Sequence, residues 1–236
     1  LSAHIISPAK YGKTTLVLTL PKPLLIVDCD GGLESLFNER VIGERLQKEV
    51  ADGLVDVAKP RDFKELQEAV VVRWKDKPYA SLAIDTMSWA LTHIIKQEIL
   101  AMSGREKMEL QDWGLYLERG LSIAKKAHDL ALRADGCHTV LTFHEADKGG
   151  EDGQIGKLGP SVQGQLFEIL PGIPNYVLFM RILRTGVDQK TRQAVLERKL
   201  QTVADNRTPA GSRRPLEPYE EPDLAAIWEK VKPYGK

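Results

Sequence analysis

Short apolar runs bounded by turn residues alternate with longer stretches of helical spacing over the first 145 residues. Residues 3–7, 23–28, 54–58, 81–85 and 139–143 read as strands. The run PLLIVD at 23–28 is nearly all apolar, as suits a strand covered on both faces. Helical spacing falls at 13–20, 33–50, 62–76, 87–102 and 110–134. Phe63, Leu66, Ala69, Val70 and Trp74 share one stripe; Leu115, Leu117, Leu121, Ala124 and Leu132 are apolar positions of the longest helix. This alternation predicts a mainly parallel sheet flanked by helices, joined by right-handed crossovers.

The pattern then changes. Residues 145–164 hold six glycines and little apolar content, which predicts a mobile loop. Residues 175–184 and 194–203 read as two strands of a hairpin, 206–222 is turn-rich, and 222–231 is a short terminal helix. The expectation is one α/β domain over 1–236: a core at 3–145, a mobile loop at 146–165, a β-rich basic extension at 175–214, and a terminal helix at 222–231.

Composition narrows the function classes. Lys plus Arg and Asp plus Glu are each 33, so the net charge is zero and a globally basic coat is excluded. A local basic face is not. Between Arg181 and Arg214 nine basic residues stand against Asp188, Glu197 and Asp205, an excess of six (9 − 3) that could track phosphates. No apolar run approaches the roughly 18 residues that a membrane helix needs. The opening run Ala3-His4-Ile5-Ile6 lacks a basic leader and a cleavage site, so it reads as a strand rather than a signal peptide. Two isolated cysteines, Cys29 and Cys137, argue against a disulfide framework or a cysteine zinc site and suit a reducing cytosol.

The most specific chemistry follows the first strand. Ser7-Pro8-Ala9-Lys10-Tyr11-Gly12-Lys13-Thr14 matches G-x-x-x-x-G-K-[ST] except at its first position, in the strand–turn–helix context that a phosphate-binding loop requires. Backbone N–H groups and a helix N-terminus would cradle phosphates, Lys13 would reach the β/γ oxygens, and Thr14, followed by Thr15, would offer a hydroxyl to Mg²⁺. Ser7 is acceptable if its φ is not positive. Asp85 ends the strand 81–85 and is the candidate carboxylate to hold Mg²⁺ through water. Asp28 and Asp30 follow the second strand, and either could orient water toward a γ-phosphate; Asp30 is the favoured base. Their place before Gly31-Gly32 also suits simple turn chemistry. His144, at the end of the strand 139–143, could contact the γ-phosphate. His4, His93, His128 and His138 read as structural.

These residues together resemble the RecA-type ATPase core, and more closely the small phage-encoded RecA-like proteins of single-strand annealing and recombination. Gln111-Asp112-Trp113-Gly114 is similar to a recurrent feature of that group, and Ala204-Asp205-Asn206-Arg207-Thr208-Pro209 resembles the basic strand end of RecA proteins. The resemblance implies a RecA-like P-loop NTPase fold and an ATP- and Mg²⁺-dependent hydrolase that binds single-stranded DNA and is stimulated by it. It further implies self-assembly into a ring or filament, a single-strand-binding protein as a candidate partner, and the cytoplasm of a bacterial host. On that model Asp30 stands where RecA proteins have a catalytic glutamate and His144 where they have a γ-phosphate-sensing glutamine. Arg207 would reach a neighbouring subunit's ATP as an arginine finger, or else pair with Asp205 on the surface. Lys148, Lys157, Arg213 and Arg214 are the candidate DNA contacts, although Glu145, Asp147, Glu151 and Asp152 outnumber the lysines of the glycine-rich loop. Ser7 also departs from the P-loop pattern, and Asp is one methylene shorter than Glu. Two other classes remain open: a nucleotide-switch binding module with negligible turnover, and a P-loop kinase acting on a small metabolite.

Overall fold

Strands whose residues are apolar throughout need cover on both faces, and the chain supplies it. The computed structural model describes residues 1–71, 77–133, 137–149, 156–188 and 191–232. Its strands are β1 (Ser2–Ser7), β2 (Leu24–Asp28), β3 (Val55–Ala58), β4 (Ser81–Asp85), β5 (His138–Lys148), β6 (Lys157–Pro160), β7 (Tyr176–Val187), β8 (Ala194–Gln201), β9 (Gly211–Ser212) and β10 (Tyr219–Glu220). The main path runs β10-β8-β7-β1-β5-β4-β2-β3, with β6 on β5 and β9 on β7. From β3 to β7 every neighbouring pair on that path is parallel.

Helices cover the two faces. One carries α1 (Lys13–Val17), α2 (Gly32–Phe37), α3 (Arg40–Ala51) and the terminal α9 (Leu224–Val231), whose Leu16, Leu33, Leu46 and Ile227 close over Ile5, Ile26 and Leu178. The other carries α4 (Phe63–Val71), α5 (Met87–Trp89), α6 (Lys96–Ser103), α7 (Leu110–Leu132) and α8 (Leu166–Ile169), with a π-helical turn, Ala90–Ile95, between α5 and α6. Leu66, Met87, Ile95, Ile123 and Leu166 pack there on Ile6, Ile84 and Phe143. This is a three-layer fold, a mainly parallel sheet flanked by helices, as the alternating pattern predicts.

Two expectations are corrected and a third is refined. Residues 33–50 form two helices, broken where Glu39 is extended (φ −82°, ψ 124°). Part of 146–165 is strand rather than loop: Glu145–Lys148 pairs antiparallel with Lys157–Pro160, and Gly159 admits the Phe167 ring, which would lie 2.6 Å from a Cβ there. Gly150, Glu151, Asp152 and Gly153 lie outside the described residues, as do Trp74 and Lys190. The hairpin expected from 175 is present, β7 pairing antiparallel with β8, and it is built onto the core sheet. β7 first pairs parallel with β1, Ala3 opposite Tyr176 through Ile6 opposite Phe179, and only beyond that level becomes a two-stranded ribbon with β8.

Candidate nucleotide site

The loop after β1 has the backbone that phosphate binding asks for. Gly12 sits in the left-handed region (φ 95°) at the N-cap of α1, where an L side chain is strained. Lys10 is also left-handed (φ 64°) but Ser7 is not, so a Cβ at the first motif position costs nothing in backbone strain. Ser7 is fully buried at the end of β1. Lys13 is buried as well; its Nζ donates to Ser7 O (3.2 Å), Pro8 O (2.9 Å) and Ser7 Oγ (3.2 Å) and lies 3.3 Å from His144 Nδ1. Burial pulls its ammonium below the usual lysine range, opposed by Asp85, Asp30 and Glu145. The loop thus holds a cation against its own carbonyls, at the place where phosphate oxygens would take over those hydrogen bonds.

A second cluster faces it. β2 and β4 are neighbours in register, so Asp28 stands opposite Asp85 at the carboxyl edge of the sheet, where ligands of open α/β sheets bind. Asp85 Oδ1 accepts from the Thr142 hydroxyl, whereas its buried Oδ2 makes no hydrogen bond of good geometry among the described residues. Burial raises this carboxyl above its ordinary range, with the Thr14 and Thr142 hydroxyls pulling the other way. Gly32 supplies the space in front. A Cβ on it would lie 3.0 Å from Asp30 Oδ1, 3.0 Å from Thr14 Oγ1 and 3.8 Å from Asp85 Oδ2. Three oxygens therefore converge on a void that only glycine leaves. This donor set fits Mg²⁺, which prefers one or two carboxylates, water and phosphate oxygens to an all-protein cage. Among the described residues no group of three or more His, Cys, Asp or Glu could hold a metal ion. Thr14 and Asp85 would hold the ion, which when bound supplies charge neutralisation at the phosphates.

The cleft between these clusters has a volume of about 460 Å³, and Gly12, Lys13, Thr14, Asp30, His144 and Arg198 stand on its walls. A family model described as an AAA domain, AAA_24, matches residues 1–214. The chain belongs to that family. Solved structures similar to it include a KaiC-like protein from the hyperthermophilic archaeon Pyrococcus horikoshii OT3 (12% identity, 84% of this chain and 76% of that chain, TM-score 0.41). Another is the flagellar accessory protein FlaH from Methanocaldococcus jannaschii (11% identity, 85% and 76%, TM-score 0.45). No curated protein matches.

Within this AAA-family chain the two candidate bases part company. Asp30 lines the cleft, its Oδ1 accepting from the Gly32 amide at 3.0 Å. Asp28 is buried beneath, and among the described residues neither oxygen makes a hydrogen bond of good geometry. Burial first, then Asp30 and Asp85, push its carboxyl up to about 6, against Lys59 and the Gly31 amide. Asp30 is thus the carboxylate that could reach a water in the cleft. His144 is not at a strand end, because β5 continues to Lys148; the histidine sits mid-strand opposite Ser7. Burial, followed by Lys13, lowers its imidazole, and Asp30 opposes that. Asp112 belongs to a capping box: it accepts from the Glu109 amide (2.9 Å) and Arg105 (3.0 Å) at the start of α7, which explains the QDWG sequence locally.

The remaining candidates are dispersed. Arg207 is outside its own chain's cleft. It pairs with Asp147 rather than Asp205, whose Oδ1 instead accepts the Arg207 amide at 2.8 Å. Its carbonyl accepts from Leu158 N–H (2.8 Å), tying the segment to β6. Lys148 and Lys157 stand opposite each other on the β5–β6 hairpin beyond the carboxyl edge, Lys148 pairing with Glu168 at 3.3 Å. Arg213 and Arg214 follow β9, at the start of β7, and Arg213 N–H donates to Asn175 O. That is the amino edge, level with Ser2 and Thr139. The expected four-residue DNA surface is therefore divided: its two pairs are roughly 30 Å apart along the strand direction, at about 3.3 Å per residue. Sequence reading missed two groups as members of the site. Gly32 was legible only as a turn residue, and Arg198 only as one charge among nine.

Proposed function

We propose that the chain is a Mg²⁺-dependent ATP hydrolase that self-assembles and binds single-stranded DNA in recombination or strand annealing, of the kind that phages encode. One observation carries the reading: β5 links the two sites in a single strand. Its His144 lies against Lys13, and further along the same strand Lys148 faces Lys157 on the hairpin that leaves the sheet. A change at the γ-phosphate has a direct covalent route to a surface that could meet a phosphate backbone. An aromatic face lies near the same edge, where Trp89, 40% exposed, stacks on His93 at 3.8 Å just after the cleft residue Thr86. Such a face is a platform for an unpaired base. In this reading Lys13 binds the phosphates, Thr14 and Asp85 hold the metal, Asp30 positions water, His144 senses the γ-phosphate, and Arg207 acts on the neighbouring subunit's ATP.

The test is ATP hydrolysis with and without single-stranded DNA, alongside the salt dependence of DNA binding. Stimulated turnover is expected. Neutralising Lys148 and Lys157 together should flatten the slope of log K against log salt by about two units, whereas Arg213 and Arg214 replacement should leave it unchanged. Unstimulated turnover with no measurable DNA binding contradicts the proposal.

A further inference from the structure

We propose that Arg198 is a catalytic residue acting in cis, a second cation that β8 lays on the phosphate tail bound by the same chain's own loop. The inference rests on the nucleotide-site reading and adds a group to it. Register puts the residue there. Ile6 of β1 is level with Phe179 of β7, and β8 runs antiparallel, so Leu200 pairs with Met180 and Arg198 with Ile182. Arg198 therefore stands past the carboxyl end of β1, at the level of the loop. Strand alternation fixes the face. Leu200 and Met180 are buried with Leu16 and Val17 of α1, so Arg198, two residues from Leu200, is on the α1 side, above the N-terminus of that helix.

The guanidinium arrives where that placement says. A Cβ on Gly12 would meet Arg198 Nη1 at 3.4 Å, Cζ at 3.6 Å and Nε at 3.8 Å, and the side chain lines the cleft with Lys13, Thr14, Asp30 and His144. Its neighbours in the basic segment are already engaged: Arg181 with Glu145, Lys199 with Glu197 and Glu221, and Arg207 with Asp147. Arg198 makes no ion pair among the described residues. An exposed guanidinium held against the turn glycine of a phosphate loop, without a carboxylate, is complementary to a polyanion. Its planar fork can take two phosphate oxygens at once, which an ammonium cannot. Lys13 would act from the floor of the cleft and Arg198 from its roof.

Equilibrium binding of fluorescent ATP, ADP and AMP, with steady-state hydrolysis of MgATP, tests this in Arg198→Ala, Arg198→Lys and Lys13→Ala proteins whose melting curves match the wild type. For Arg198→Ala we expect triphosphate affinity to fall by about tenfold or more, with AMP affinity unchanged, and kcat to fall by roughly 10²-fold or more. Arg198→Lys should recover part of the affinity and less of the turnover. Mixing Arg198→Ala with Lys13→Ala should restore nothing beyond the sum of the two, because both groups serve one site on one chain. Unchanged ATP affinity and turnover in Arg198→Ala, with Lys13→Ala inactive, would overturn the role of Arg198 and leave the loop assignment standing. Restoration on mixing would move Arg198 to a neighbour's site and overturn the cis role. An active Lys13→Ala protein would instead overturn the site reading itself.

Discussion

Gly32 is a sharp residue-scale probe because what matters there is an absence. A methyl group would stand 3.0 Å from both Asp30 Oδ1 and Thr14 Oγ1, filling the space where these oxygens and Asp85 Oδ2 converge, and Gly32 does not have a positive φ. Gly32→Ala should therefore fold normally, keep a metal-independent nucleotide affinity, and lose the Mg²⁺-dependent part of binding and most turnover. Nucleotide titrations with Mg²⁺ and with chelator check this; equal Mg²⁺ enhancement in both proteins would put the ion elsewhere. Asp28 offers a pH probe. Its carboxyl rises from 3.8 to about 6 on folding, so the folded chain holds a proton that the unfolded chain has released across that window. The associated stability is present below the unfolded value and lost as pH rises through about 6. Asp28→Asn is neutral throughout, so its stability relative to wild type should improve with pH across the window, by at most about 3 kcal/mol. Denaturant melts at several pH values measure it, and a pH-independent difference would contradict the assigned cause.

At the scale of elements, the corner between α2 and α3 is held by a close approach. A Cβ on Gly43 would lie 2.4 Å from Phe37 O and 2.9 Å from Phe37 C, both backbone atoms that cannot swing away. Gly43→Ala should cost about 1–3 kcal/mol, read as a lowered thermal midpoint. It should also raise KM for ATP, since Ser35, Leu36, Glu39 and Ile42 of this corner wall the cleft. That corner was illegible in the sequence, where 33–50 has one continuous helical pattern, because a close backbone approach between Phe37 and Gly43 leaves no mark in the spacing of apolar residues. The parallel strands were readable for the opposite reason: β2 and β4 are apolar on both faces, a signal carried in the run itself. Glu145–Lys148 is polar and pairs outside the packed sheet, so no apolar pattern announces it. The pairing of β7 with β1 depends on residues more than 160 positions apart (Ala3 opposite Tyr176). In the site, Lys13 and Thr14 were marked by local spacing, whereas Arg198 reaches them only through the register of β8 on β7 on β1.

Across the whole molecule, chemistry gathers at one edge of the sheet. The phosphate loop, the three carboxylates, His144, Arg198 and the β5–β6 hairpin all lie at or beyond the carboxyl ends of the parallel strands, while Arg213 and Arg214 occupy the amino edge. No helix among the described residues is long and apolar enough to cross a membrane. The central claim is that this edge binds and hydrolyses MgATP through the loop that ends in Lys13. The most direct measurement is Mg²⁺-dependent ATP hydrolysis by the wild-type and Lys13→Ala chains at matched concentration, each checked by its melting curve. Lys13 bonds mainly to loop oxygens, so its removal should spare the fold. The account predicts turnover in the wild type and its loss, by roughly 10²-fold or more, in Lys13→Ala; undiminished hydrolysis by a correctly folded Lys13→Ala chain would contradict it.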